Sequence, residues 1–162
     1  MAFKSIQELK DNNIIYAKHQ TVACTTNIVG TMGAGLALEI KERFPRAYHE
    51  YMRVFKSGAM RQDTLINVDC EWHHILLFPT KVDWRDNSPV ELIVGNLEKL
   101  ATVYKDLHIT SLALPPLGTG LGGLEGDDAI TVLKAMKTFM ASVDIPVDCY
   151  LQDAYMEIID SI

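Results

Sequence analysis

Two glycine-rich stretches, Gly30–Gly35 and Gly118–Gly123, constrain this chain more than anything else in its sequence. The first sits in Asn27-Ile28-Val29-Gly30-Thr31-Met32-Gly33-Ala34-Gly35-Leu36-Ala37, the second in Leu117-Gly118-Thr119-Gly120-Leu121-Gly122-Gly123-Leu124. Each follows an apolar, strand-like run and precedes a helical pattern. Glycine lets backbone N–H groups converge on an anion with no side chain in the way. The N-terminus of the following helix adds partial positive charge. One such loop is weak evidence, because a plain tight turn gives the same pattern. Two in equivalent strand-to-helix positions of one sheet can clamp a diphosphate from both sides. Neither reads G-x-x-x-x-G-K-[ST], because no lysine follows, which disfavours a P-loop nucleotidase. The first runs G-x-x-G-x-G, not the dinucleotide-binding G-x-G-x-x-G.

The elements around the loops follow from period and punctuation. Ser5-Ile6-Gln7-Glu8 has the capping-box form and opens a short helix over Ser5–Lys10. Ile14–Cys24 reads as a strand with a break near Lys18-His19-Gln20. Leu36, Ile40 and Phe44 lie on one helical face from Gly35 on, and Pro45 ends that helix. Tyr48, Met52 and Phe55 mark a second helix, closed near Gly58. Leu65–Val68 and His74–Phe78 read as strands. Ser88-Pro89-Val90-Glu91 is a helix start, with serine as N-cap and proline at the first helical position. Ile93, Leu97, Leu100 and Tyr104 continue its buried face. Ile109–Leu114 is a buried strand stopped by Pro115-Pro116. Asp127 or Asp128 caps a last long helix with Ile130, Leu133, Met136 and Met140 on one side, and Val147–Leu151 is a final strand. Strands alternating with helices give an α/β fold with a mixed, mainly parallel central sheet covered on both faces. Ligands of such sheets sit at the carboxyl ends of the strands.

At 162 residues the chain is one domain, residues 1–162, with a full core. Apolar residues make up 48% and charged residues 22%, which excludes a disordered or fibrous chain. No apolar run approaches the roughly 20 residues of a membrane helix. Met1-Ala2-Phe3-Lys4-Ser5 lacks the apolar core of a signal peptide, so a cytoplasmic protein is expected. The net charge of −6 argues against a broad nucleic-acid-binding face and leaves room for a local basic mouth. Cys24, Cys70 and Cys149 form no C-x-x-C pair and read as buried or half-buried thiols. Among His19, His49, His73, His74 and His108 only the adjacent pair is close, and neighbours on a strand face opposite ways. No metal and no cofactor are expected. A small acidic domain is compatible with a monomer.

Phe78-Pro79-Thr80-Lys81-Val82-Asp83-Trp84-Arg85 is the third feature. A strand ends there, and a lysine and an aromatic emerge. Beside the glycine loops, Lys81 would neutralise phosphate or, with a depressed pKa, act as a nucleophile. Away from them it is a solvated surface lysine. Trp84 stacks on a ligand ring or covers the sheet edge. Met60-Arg61 and Arg85 supply cationic contacts to a nucleic-acid substrate or a plain polar surface.

At these residues the chain resembles the macro domain family, from about Ile14 to Leu151. Asn27-x-x-Gly30-x-Met32-Gly33-x-Gly35-x-Ala37 is similar to the family's first phosphate loop, and Pro116-Leu117-Gly118-Thr119-Gly120-Leu121-Gly122-Gly123-Leu124 to its second. Phe78-Pro79-Thr80-Lys81-x-x-Trp84-Arg85, with Ser88 after it, is similar to the subgroup of macro-domain antitoxins that remove ADP-ribose from thymidine in DNA. The resemblance implies a three-layer α/β/α macro domain and ADP-ribosyl hydrolase (glycohydrolase) activity on DNA thymidine or protein, with single-stranded ADP-ribosylated DNA as a partner. It implies Lys81 as the catalytic residue at the anomeric carbon of the distal ribose, and Asn27 beside that ribose. Ligand contacts fall to Gly30, Met32, Gly33, Ala34, Gly35, Pro116, Leu117, Gly118, Thr119, Gly120, Leu121, Gly122 and Trp84. Two other activities stay open: dephosphorylation of ADP-ribose-1″-phosphate, and binding of ADP-ribose or a related signalling nucleotide without turnover.

The chain departs from the family's pattern in four places. Asn12-Asn13-Ile14 stands where many members carry Gly-Asp-[Ile/Leu] for adenine, with Asp11 as a substitute acid. Gly122 stands where lysine-dependent mammalian relatives carry an aspartate. Glu125-Gly126 follows the second loop where tryptophan is common. The Ser5–Lys10 helix takes the place of the usual first strand. Together these imply a compact, divergent version of the fold, of a kind seen in phage genomes.

Overall fold

A computed structural model describes residues 2–83, 85, 88–118 and 124–162. Among the described residues six strands form one sheet: β1 (Ala2–Ser5), β2 (Thr21–Thr26), β3 (Ile66–Asp69), β4 (His74–Pro79), β5 (Leu112–Leu114) and β6 (Val147–Leu151). The order across the sheet is β1-β6-β5-β2-β4-β3. All neighbouring pairs are parallel except β3 against β4. The mixed, mainly parallel sheet is as expected.

The side-chain alternation of the strands builds two cores. Leu76 and Phe78 of β4 and Ala23 of β2 turn to one face, where they meet Ile93, Leu97 and Leu100 of α3 (Val90–Val103) and Val132, Leu133 and Met136 of α4 (Gly126–Ser142). Ile75 and Leu77, with Val22 and Cys24, turn to the other, against Ile40 of α1 (Gly35–Arg43) and Ala47 and Tyr51 of α2 (Pro45–Lys56). This is period-two burial on both faces, and it produces three layers. A short α5 (Asp153–Met156) follows β6. The Cys24 and Cys149 thiols lie in these cores, and burial pushes that of Cys24 up to about 12.

Four local expectations need correction. The first strand is present. Ala2–Ser5 pairs parallel with β6, and Ser5 then caps a single 3-10 turn, Ile6–Glu8, with its hydroxyl accepting from the Gln7 N–H at 3.2 Å. Four half-buried residues are too few to display alternation. Ile14–Tyr16 is also a 3-10 turn and not strand, because the Asn13 Oδ1 accepts from the Ile15 N–H at 3.1 Å and bends the chain; the strand starts at Thr21. Pro89, not Ser88, occupies the N-cap of α3. Ser88 is buried, and its hydroxyl has no hydrogen-bond partner among the described residues. At α4 the N-cap is Glu125, and Asp127 and Asp128 lie in the first turn, where the helix dipole favours them.

β1 is held through one carboxylate. Asp148 accepts from the Ala2 N–H at 3.1 Å, from Lys4 Nζ at 3.1 Å and from His19 Nε2 at 2.8 Å. At the opposite edge the β3–β4 turn carries Trp72, 86% exposed, at the amino end of β4.

Candidate active site

The five parallel strands end at one rim, and a cavity of about 950 Å³ opens there. Its walls come from distant parts of the chain. Thr25, Thr26 and Asn27 close β2. Thr31, Gly33, Ala34 and Gly35 follow in the first glycine loop. Thr80 and Lys81 leave β4, and Pro115, Pro116 and Gly118 leave β5. The segment between β1 and β2 adds Asp11, Asn12, Asn13 and Ile14, and Gln152 joins from the end of β6. Strand register places the chemistry: Thr26 lies opposite Pro79, so Asn27 and Thr80 leave neighbouring strands side by side. The Thr80 N–H donates to Thr26 O at 2.9 Å, and Lys81 follows into the cavity wall.

The first loop is tied from within. Tyr51 of α2, fully buried, places its hydroxyl 2.7 Å from Asn27 Oδ1 and 2.9 Å from Asn27 O. It has one proton and donates to one of these. The same oxygen accepts from the Gly30 and Thr31 N–H groups, each at 3.1 Å. Burial pushes the phenol up to about 12, against the lowering pull of those two N–H donors. It is therefore a neutral hydrogen-bonding hub at any physiological pH. The Asn27 amide is equally committed: Oδ1 also accepts from the Val29 N–H, and Nδ2 donates to Thr31 O at 2.8 Å. Asn27 lines the cavity, yet its amide organises the loop.

Of the site residues expected from sequence, Asn27, Gly33, Ala34, Gly35, Lys81, Pro116 and Gly118 line one cavity. Gly30, Met32 and Leu117 do not. Gly30 has φ +83°, and a Cβ there would come within 2.7 Å of the Phe55 ring, so it shapes the loop against α2. Met32 and Leu117 are core residues, 2% and 0% exposed. Gly118, at φ +76°, would drive a Cβ to 2.6 Å from Leu124 and 2.7 Å from Ile93. Thr119, Gly120, Leu121, Gly122 and Trp84 lie outside the described residues.

Sequence reasoning missed Tyr51. Tyr48, Met52 and Phe55 drew attention to the wrong helical face, whereas Ala47, Tyr51 and Val54, at i, i+4 and i+7, are the buried ones. It also gave little weight to residues 11–14. Asp11 and Asn12 have φ of +55° and +52°, the left-handed region that Asp and Asn tolerate best. Two such residues in succession turn that segment along the cavity wall. Among the described residues no group of three or more His, Cys, Asp or Glu is arranged to hold a metal. No helix among them is long and apolar enough to cross a membrane.

The family model of the macro domain matches residues 23–133. This chain belongs to that family. A DNA ADP-ribosyl glycohydrolase of Mycobacterium tuberculosis is 37% identical over 120 residues, covering 72% of this chain and 34% of the relative. One from Thermus aquaticus is 35% identical over 116 residues, covering 69% and 32%. The chain thus spans about a third of the length of the curated relatives it matches. Among solved structures, the macrodomain of Thermus aquaticus DarG superposes with a TM-score of 0.81 at 29% identity, over 93% of this chain and 98% of that one. Thermosipho africanus DarTG in complex with ADP-ribose gives 0.78 at 30% identity, over 88% and 40%.

Proposed function

We propose that this chain is a DNA ADP-ribosyl glycohydrolase. It holds the diphosphate of ADP-ribose on the two glycine loops and presents the anomeric carbon of the distal ribose to Lys81. One observation carries the proposal: Lys81 and the first glycine loop line the same cavity, in a chain 37% identical to DNA ADP-ribosyl glycohydrolases. The lysine nitrogen adds to the anomeric carbon as the glycosidic bond breaks and its electron pair leaves with the base, or the lysine donates a hydrogen bond to that departing group. Water then completes the release of ADP-ribose. Asn27 and Tyr51 act on the loop and not on the reacting bond. Gly33, Ala34 and Gly35 turn their backbone to the diphosphate, Pro116 and Gly118 close the facing wall, and the second loop through Thr119–Gly122 completes the clamp. Residues 11–14 form the adenine end, with Asp11 taking the part of the acid that many relatives carry at the Asn13 position. The cavity is built within one chain, so the reading needs only a monomer, in the cytoplasm with its DNA.

The experiment is calorimetric titration of ADP-ribose into wild type and Lys81→Ala, followed by incubation of both with thymidine-ADP-ribosylated single-stranded DNA. Both proteins are expected to bind. Wild type clears the modification, and the variant is slower by several powers of ten, each about 1.4 kcal/mol of barrier. Equal rates would overturn the role of Lys81. Binding without clearance by wild type would overturn the glycohydrolase reading and leave sequestration or 1″-phosphate release, which a phosphate assay separates.

A further inference from the structure

A second cleft, of about 710 Å³, is lined by Ile28, the chain neighbour of Asn27 in the first cavity. Ile28, residues 60–63 and the facing side of α3 bound it. Consecutive residues line the two spaces. Asn27 lines the first and Ile28 the second. Lys81 lines the first, and its neighbour Val82 accepts a hydrogen bond from the Ile28 N–H at 3.2 Å. The outer wall is fixed to the same strand. Asn96, 2% exposed, donates from Nδ2 to both Gln62 O and Pro79 O at 2.9 Å, which pins residues 60–63 to the end of β4. One backbone bond and the Asn96 amide therefore tie this cleft to the segment that carries Lys81.

Cations stand on both walls. Arg61 is braced by Gly58 O and Met60 O through one guanidinium nitrogen. Lys99, 39% exposed, reaches from α3 to within 3.5 Å of the Asp63 carboxylate. Ile28, Met60 and Leu92 give the same cleft an apolar surface. Cations can meet the phosphates of a single strand, and the aliphatic side chains give its bases an apolar surface in place of the aromatic platforms of dedicated single-strand sites. Asp63 and Glu91 line the cleft too and offset the two positive charges. Such a cleft holds an unmodified strand weakly. It gains occupancy only when the strand is tethered next door, where binding becomes intramolecular.

We propose that this second cleft is the acceptor-strand subsite: it seats nucleotides flanking the ADP-ribosylated base of single-stranded DNA, with Arg61 and Lys99 meeting their phosphates. The inference rests on the glycohydrolase reading above, in the form in which Lys81 stabilises the departing base, because that form puts the base and the strand attached to it on the Lys81 side of the anomeric carbon. It also explains how an acidic protein selects modified strands from an excess of unmodified ones. Affinity comes from the tether, and the cleft adds to it.

The test uses Lys81→Ala, to prevent turnover, with and without Arg61→Ala/Lys99→Ala. Anisotropy of a labelled single-stranded oligonucleotide carrying one ADP-ribosyl thymidine gives the strand affinity, and calorimetry gives that of free ADP-ribose. The modified strand is expected to bind about tenfold tighter than ADP-ribose. That advantage should fall about sevenfold between 50 and 200 mM salt, as two single-strand phosphate contacts require. It should vanish in the Arg61→Ala/Lys99→Ala protein while ADP-ribose affinity, which also reports folding, stays unchanged. If ADP-ribose binds and the strand adds nothing, or the variant holds the strand as tightly as its parent, the subsite is overturned alone. If ADP-ribose does not bind, the glycohydrolase reading falls and this inference with it. An equal advantage for an ADP-ribosylated peptide would overturn the assignment to DNA.

Discussion

Tyr51 shows how much of this site rests on one buried atom. Its hydroxyl accepts two loop N–H groups and binds the residue that precedes the loop. Tyr51→Phe removes that acceptor where no solvent can replace it, since the residue is fully buried. The Thr31 N–H keeps Asn27 Oδ1 at 3.4 Å, so the Gly30 N–H is the donor left orphaned, at a cost of about 1–3 kcal/mol. Denaturant titration is expected to show a loss in that range, and calorimetry a weaker affinity for ADP-ribose. Unchanged stability would mean that the loop finds other partners. Gly118→Ala meets both a left-handed φ and two side chains under 3 Å away, and is expected to destabilise by about 1–3 kcal/mol in the same assay. At this scale the sequence was legible where conformation demands a residue type. Glycine at Gly30 and Gly118 could be read without knowing its neighbours. The role of Tyr51 could not, because it depends on a helix face meeting a loop 20 residues earlier.

The elements most visible in sequence were those with a full period. α1 begins at Gly35 as its pattern places it and α3 within a residue of its own, α2 and α4 begin up to three residues earlier than theirs, and β4 and β6 are apolar runs of ordinary length. β1 escaped notice because its four half-buried residues show no alternation and its partner, β6, lies nearly the whole chain away, where Asp148 also meets Ala2, Lys4 and His19. Burial raises the Asp148 pKa, and hydrogen bonds from His19 and Lys4 more than reverse it, so the folded value lies below the ordinary one. A lowered carboxylate contributes stability that is complete above its unfolded pKa of about 3.9 and is lost as pH falls through the folded value. Asp148→Asn is expected to cost about 1.5–3 kcal/mol at neutral pH, the range for hydrogen bonds to a charged group. The variant should also lose less than wild type between pH 5 and pH 2. Parallel acid-denaturation curves would show that Asp148 does not set this dependence.

For the whole molecule, the sheet gathers residues from five separate chain regions at a single rim, so a bound ligand cross-links them. ADP-ribose at a hundredfold excess over its Kd should add about 2.7 kcal/mol of stability. For a domain of this size that is about 5–11 °C in Tm, readable by calorimetric melting. A shift of under a degree would mean that ADP-ribose does not bind the folded chain. The three-layer architecture was readable from alternation alone. Which wall of the cavity each residue joins was not, since that depends on strand order and on the register of β2 against β4.

The same one-sided layout has an optical consequence. The chain has two tryptophans, Trp72 and Trp84. Trp72 stands in water on the β3–β4 turn, at the amino end of a six-residue strand whose carboxyl end leads to Lys81. Six residues of strand span roughly 20 Å, so its emission is a constant background to events at the cavity. Trp72→Phe leaves a single indole three positions after Lys81, and any change in its fluorescence on adding nucleotide then originates in the segment that carries the lysine.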